Sequence, residues 1–157
     1  MLIPIKAVTA KNFISAWELE NYTEYSGAAE PLQPFGSNPV GFLIYTEDGI
    51  VSAQLMTPHR KRLADGAWQS NDQEALAELA KGYIAYCGRY FIDEQMGQMV
   101  HLPVLALVPN LIDQRQYRTF NFDDDKLNLR TVRTESDGKT VETRLTWRRY
   151  SHAGGRA

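Results

Sequence analysis

Cysteine is almost absent. Cys87 stands alone among 157 residues, so no intrachain disulfide can form and an oxidised, secreted scaffold gains no support. Histidine is scarce as well. His59, His101 and His152 are scattered, and with Cys87 they show no metal-ligand spacing, so no metal site is expected. A haem held by one histidine has nothing further in the sequence behind it, and no cofactor is expected. No excess of one charge is present. The formal net charge is −2, which gives no basic face, and nucleic acid is not an expected partner. Long apolar runs are missing too. Residues 102–108 are the longest, they contain Pro103, and they fall far short of the roughly 20 residues of a membrane span. Met1 to Lys6 lacks the apolar core of a secretory leader. These absences lead us to expect a cytoplasmic protein without a membrane partner. Repeats, linkers and low-complexity segments are also lacking.

What is present is ordinary globular composition, with 43% hydrophobic and 23% charged residues. The length suits one domain over residues 1–157. Aromatic and β-branched residues recur in short blocks separated by turn residues, which is an all-β pattern. The first block is Ile14 to Tyr25, with Trp17, Leu19 and Asn21 read on one face and Glu18, Glu20 and Tyr22 on the other. Val40 to Tyr45 and Ile50 to Met56 flank an Asp48-Gly49 turn, a strong hairpin signal because glycine supplies positive φ. After a polar loop from Thr57 to Gly66, a helix is predicted. Ser70 or Asn71 would cap it, Gly82 would end it, and Leu76, Leu79, Ala80 and Tyr83 would form its apolar stripe. Strands resume at Ile84 to Ile92, Gln98 to Leu107, Gln114 to Phe122, Lys126 to Thr134 and Thr140 to Arg149. Pro103 implies a bulge or an edge. The acidic run Asp123 to Asp125 reads as a polar turn, since it lacks the spaced glycine and distal glutamate of a calcium loop. Arg144, Arg148, Arg149 and Arg156 alternate with other residues as on a solvated strand face, and the tail after His152 is expected to fray. About eight antiparallel strands in sequential order predict an up-and-down barrel, with one α-helix inserted after the third strand.

Several of these segments resemble the lipocalin-like domain family of bacteria and fungi. They are Val40 to Gly49 with Gln54-Leu55-Met56, Gly82 to Tyr90 after an Ala/Glu-rich helix, and His101. Pro109-Asn110, Gln116, Arg118, Leu145 to Arg148 and the opening Trp17 complete the match. Ser15 and Asp113 depart from it, each standing where a glycine is usual. The resemblance implies a barrel with an internal cavity and says little about activity.

Four side chains are candidates for chemistry. His101 lies in an apolar strand and titrates near neutrality when unperturbed. Tyr86 and Tyr90 share a strand face with Gly88 between them, and that gap is read as room for a ligand between two phenols. Arg118 shares its face with Gln116 and Phe120. If that face points inward, Arg118 is either a buried cation awaiting an anionic group or the arginine that packs on Trp17 to close the barrel. Plain alternatives stand beside each: a core histidine, ordinary aromatic packing, a solvated Gln54. The candidate ligand contacts are Trp17, Gln54, Tyr86, Tyr90, His101, Gln116 and Arg118.

The expected function is binding of a small, largely apolar molecule, aromatic, polyketide-like or lipid-like, inside the barrel. One alternative is a cofactor-free cyclase or isomerase in which His101, Tyr86, Tyr90 and Arg118 are catalytic. A second is a structural or interaction domain with a filled core. A homodimer is compatible with all three.

Overall fold

The computed structural model describes residues 8–27, 29–63 and 71–151. Readings that fall on residues 1–7, on Ser70 or on His152 and the tail lie outside the described residues. Eight strands form one closed antiparallel barrel in sequential order. They are β1 Ser15–Tyr25, β2 Val40–Tyr45, β3 Ile50–Met56, β4 Tyr83–Asp93, β5 Gln98–Ala106, β6 Gln116–Asp123, β7 Lys126–Thr134 and β8 Thr140–Arg149. The helix α1, Gln73–Lys81, lies between β3 and β4. Closure leaves no unpaired sheet edge. It also makes the alternation of each strand decisive, because every second side chain enters the barrel.

In β1 the reading of faces needs correction. A bulge between Leu19 and Asn21 shifts the register against β8, so that Leu19 pairs with Trp147 but Tyr22 pairs with Leu145. One extra residue switches the alternation. Trp17, Leu19 and Tyr22 therefore share the interior, and Asn21 is turned out beside Thr146. The strand would otherwise have presented Tyr22 to solvent.

α1 is capped by Asp72, whose side chain accepts from the Ala75 N–H at 3.0 Å, and it ends at Gly82. No residue of α1 is buried. The stripe of Leu76, Leu79 and Ala80 is only lightly covered, so the helix flanks the barrel without joining its core. Asp113, which replaces the usual glycine after the Pro-Asn pair, takes φ +59°. A short polar side chain tolerates that left-handed backbone best after glycine.

The two ends of the barrel differ. The turns β2–β3, β4–β5 and β6–β7 close one end, and the amino-terminal segment plugs it. Phe13 is wholly buried there, with ring centroids 4.8–5.5 Å from Phe122, Phe120 and Tyr45. Trp17 Nε1 donates to the Phe13 carbonyl at 2.8 Å. Arg149 lies over the Trp17 ring at 4.2 Å and donates to the Asn12 carbonyl at 3.1 Å. The arginine that closes the barrel is thus Arg149, not Arg118. Arg149 remains exposed at that end as expected, while Arg148 pairs with Glu18 and Arg144 with Glu142. An Arg149→Met substitution should lower stability by about 1 kcal/mol, the scale of one cation–π contact and one net hydrogen bond. An unchanged thermal midpoint would show that the floor holds without this clamp.

The other four connections leave from the opposite end. There Glu24 pairs with Arg133 at 3.0 Å, and the Phe35 ring caps Tyr22 at 4.9 Å. Near the floor, the inward residues Trp17, Val51, Met99 and Leu127 are fully buried. Toward the far end, Ile84, Gln116, Arg118, Thr131 and Leu145 are only half-buried although strand pairing turns them inward. That end is therefore the less sealed of the two.

Candidate functional site

Alternation in β2, β4, β5 and β6 builds one polar cluster inside the barrel. β2 turns Leu43 and Tyr45 inward, and β4 turns Tyr86, Gly88 and Tyr90 inward. β5 brings His101 opposite Tyr90 and opposite Gln116 of β6, whose Arg118 pairs with Met99. His101 is completely buried. The Tyr45 hydroxyl lies 2.7 Å from its Nε2, and the Tyr86 hydroxyl lies 2.7 Å from its Nδ1. Arg118 donates through one terminal nitrogen to the Tyr86 oxygen at 3.1 Å and through the other to the Gln116 carbonyl at 2.8 Å. A continuous chain results, Arg118–Tyr86–His101–Tyr45, running from the open half of the barrel toward its floor.

The electrostatics follow from burial. Loss of water, and then the Arg118 cation, hold the His101 imidazole well below its usual titration range. The ring is neutral at physiological pH, with one N–H and one acceptor nitrogen. Burial also raises both phenols above the ordinary tyrosine value. At Tyr86 the Arg118 charge and hydrogen bond pull partly in the other direction. Arg118 faces inward with no carboxylate beside it among the described residues. The Trp147 indole N–H is buried in the barrel without an acceptor among the described residues. Buried polar groups are normally satisfied, so an interior with spare donors suits an acceptor-bearing guest.

The structure brings together four of the seven expected contacts, Tyr86, His101, Gln116 and Arg118. Tyr90 faces inward, but its hydroxyl donates to the Thr46 carbonyl at 2.7 Å and its ring packs on Tyr45 at 4.8 Å. It fastens the β2–β3 turn. The expected gap between the two phenols does not exist, because a Cβ on Gly88 would sit 2.1 Å from the Leu102 carbonyl oxygen. The β5 backbone occupies that space. Trp17 is sealed in the floor and does not reach the open half. Gln54 is a correction: it lies on the outer face of β3, exposed, and accepts from the Tyr83 hydroxyl at 2.7 Å. Cys87 is free and alternates away from the interior. Tyr45 was missed by sequence reasoning. Its signal was the alternation Gly41, Leu43, Tyr45 within the strand whose inward face also carries the core leucine.

Two surface hollows lie elsewhere. One of about 910 Å³ separates α1 from residues 57–63. The other, of about 550 Å³, lies on the outer faces of β6, β7, β8 and β1. Neither contains a member of the polar chain. No group of three metal-ligating side chains occurs among the described residues, and no described helix is long and apolar enough to cross a membrane.

Residues 14–150 match the family described as a lipocalin-like domain. The chain is also similar to the 4'-hydroxy-3'-methoxypropiophenone carrier protein of Aspergillus oryzae, with 28% identity over 106 residues, covering 63% of this chain and 96% of that protein.

Proposed function

We propose a carrier function from one premise: this chain belongs to the lipocalin-like domain family. The barrel takes up a small, largely apolar aromatic molecule through its open end and releases it unchanged. The molecule carries a carbonyl or phenolic oxygen that meets Arg118 and Tyr86, while its ring lies against the apolar wall.

Arg118 is the observation that supports this reading. An inward-facing guanidinium without a carboxylate is costly unless something pairs with it. A guest oxygen, neutral or anionic, fills that role, and the planar donor fork favours it over a point charge. The A. oryzae relative is named as the carrier of an aryl ketone with a phenolic hydroxyl, and that chemistry suits this cluster. The direct test is titration of the full chain with 4'-hydroxy-3'-methoxypropiophenone by calorimetry. Arg118→Met should weaken binding by about tenfold or more, since a hydrogen bond to a charged group contributes about 1.5–3 kcal/mol. Equal affinity of the variant and the parent would refute the role given to Arg118.

A second reading has one feature in its favour. Both nitrogens of His101 contact phenols, so a proton can pass along the chain, as a cofactor-free isomerase or cyclase would require. Recovery of the ketone after incubation, analysed by chromatography and NMR, separates the readings. A carrier returns it unaltered, whereas an enzyme returns an isomer or a cyclised product.

A further inference from the structure

The Tyr45–His101–Tyr86 chain holds more hydrogens than it has links. A neutral imidazole carries one N–H and each phenol one O–H, which makes three. The two contacts, Tyr45 with Nε2 and Tyr86 with Nδ1, consume one hydrogen each. Burial and the Arg118 charge keep a fourth hydrogen off the ring. One hydrogen is therefore left over, and it resides on an outer phenol. If Tyr86 donates to Nδ1, the chain runs inward and the Tyr45 hydrogen is surplus. If Tyr45 donates to Nε2, the chain runs outward and the surplus hydrogen is on Tyr86. Among the described residues neither hydroxyl has a further acceptor. Tyr45 is buried, its ring packed against those of Phe13 and Tyr90 on the floor side. The Tyr86 hydroxyl lies beside Arg118, whose half-buried side chain reaches the open half.

We propose that in the loaded protein the chain runs outward, so that Tyr86 delivers the surplus hydrogen to the guest oxygen that Arg118 also contacts. Tyr86 and Arg118 then form a two-donor clamp for a carbonyl-type acceptor, and His101 and Tyr45 are positioning residues that set its direction. This rests on the carrier reading and adds a specificity to it: the guest is selected by its acceptor oxygen as well as by its ring. Formally, Tyr45 O–H donates to Nε2, Nδ1–H donates to the Tyr86 oxygen, and Tyr86 O–H donates to the guest. No bond beyond hydrogen bonds is made or broken, and no net charge moves.

Two probes test it on the full chain, 4'-hydroxy-3'-methoxypropiophenone and 2-methoxy-4-propylphenol, which keeps ring, phenol and side chain but has no carbonyl. The ketone should bind about tenfold or more tightly, and Tyr86→Phe should remove most of that preference. The second readout is the histidine tautomer, followed by long-range ¹⁵N correlation in the parent protein, where folding of a variant is not at issue. With ketone bound, His101 should carry its hydrogen on Nδ1, with Nε2 unprotonated. Both probes binding equally, or a His101 that keeps its hydrogen on Nε2 in the ketone complex, would overturn the clamp and leave the carrier reading intact. Failure of both probes to bind would overturn the two together.

Discussion

Replacing Gly88 by alanine is expected to cost about 3 kcal/mol or more of stability, the top of the range for overpacking. A Cβ there would stand 2.1 Å from the Leu102 carbonyl oxygen and 2.7 Å from the Pro103 Cα. Both are backbone atoms, so no rotamer change relieves the contact. The register against β5 already shifts between Cys87 and Gly88, and Gly88 pairs with the fully buried Pro103. Strands β4 and β5 would have to move apart at that bulge, and they carry Tyr86, Tyr90 and His101. Gly41→Ala is the informative comparison. Its Cβ would approach the Gln54 carbonyl oxygen at 2.7 Å and the Leu55 Cβ at 2.8 Å, also with atoms fixed by the backbone but without a contact as short as 2.1 Å. Urea unfolding should therefore rank Gly88→Ala well below Gly41→Ala and the parent. A Gly88→Ala midpoint matching that of Gly41→Ala would contradict the close approach of β4 and β5.

Gly88 also shows where sequence reasoning stopped. The strands and their order were legible because alternation and turn chemistry are local. Asp48-Gly49 marks the β2–β3 turn, and β2, β3, β7 and β8 lie within the ranges their patterns gave. That Arg118 shares a face with Gln116 and Phe120 followed from the same period-two rule, whereas its inward orientation came from the closed barrel. What a missing side chain makes room for is not local. Gly88 was read as a ligand gap, and only the register with Pro103 shows the backbone approach that takes up the space. The bulge at Leu19/Asn21 is likewise invisible without the partner strand, and one unseen residue sent Tyr22 to the wrong face. Sequence reasoning offered Arg118 for the floor and put Arg149 on a solvated face. The choice depends on which strand end lies beside Trp17, and Arg149 is its direct partner across β1 and β8. The Tyr45–His101–Tyr86 link joins residues 56 and 15 positions apart, so His101 and Tyr86 were identified singly, Tyr45 was missed, and the connection was not legible.

The same buried histidine makes the fold acid-sensitive in a predictable window. His101 is faced by Tyr45 from β2, Tyr86 and Tyr90 from β4, and Arg118 from β6, with no carboxylate among them. Burial and Arg118 both oppose its protonation, so its folded value lies well below the ordinary 6.5. As pH falls through 6.5, the unfolded chain binds a proton at this position that the folded chain refuses. The unfolded state gains, and stability is lost on the acid side while remaining unaffected well above pH 6.5. The slope from this one group approaches about 1.4 kcal/mol per pH unit until the folded value is reached. His101→Gln supplies the control, because an amide retains a donor and an acceptor for the two phenols and does not titrate. Its stability at neutral pH should be lower, from imperfect geometry, but its decline on the acid side of pH 6.5 should be shallower, by a slope difference approaching about 1.4 kcal/mol per pH unit. Other titrating groups are common to both proteins and cancel in the difference. Urea midpoints measured across that range give the comparison, and parallel curves for parent and variant would mean that His101 is protonated without difficulty and is not held neutral inside the barrel.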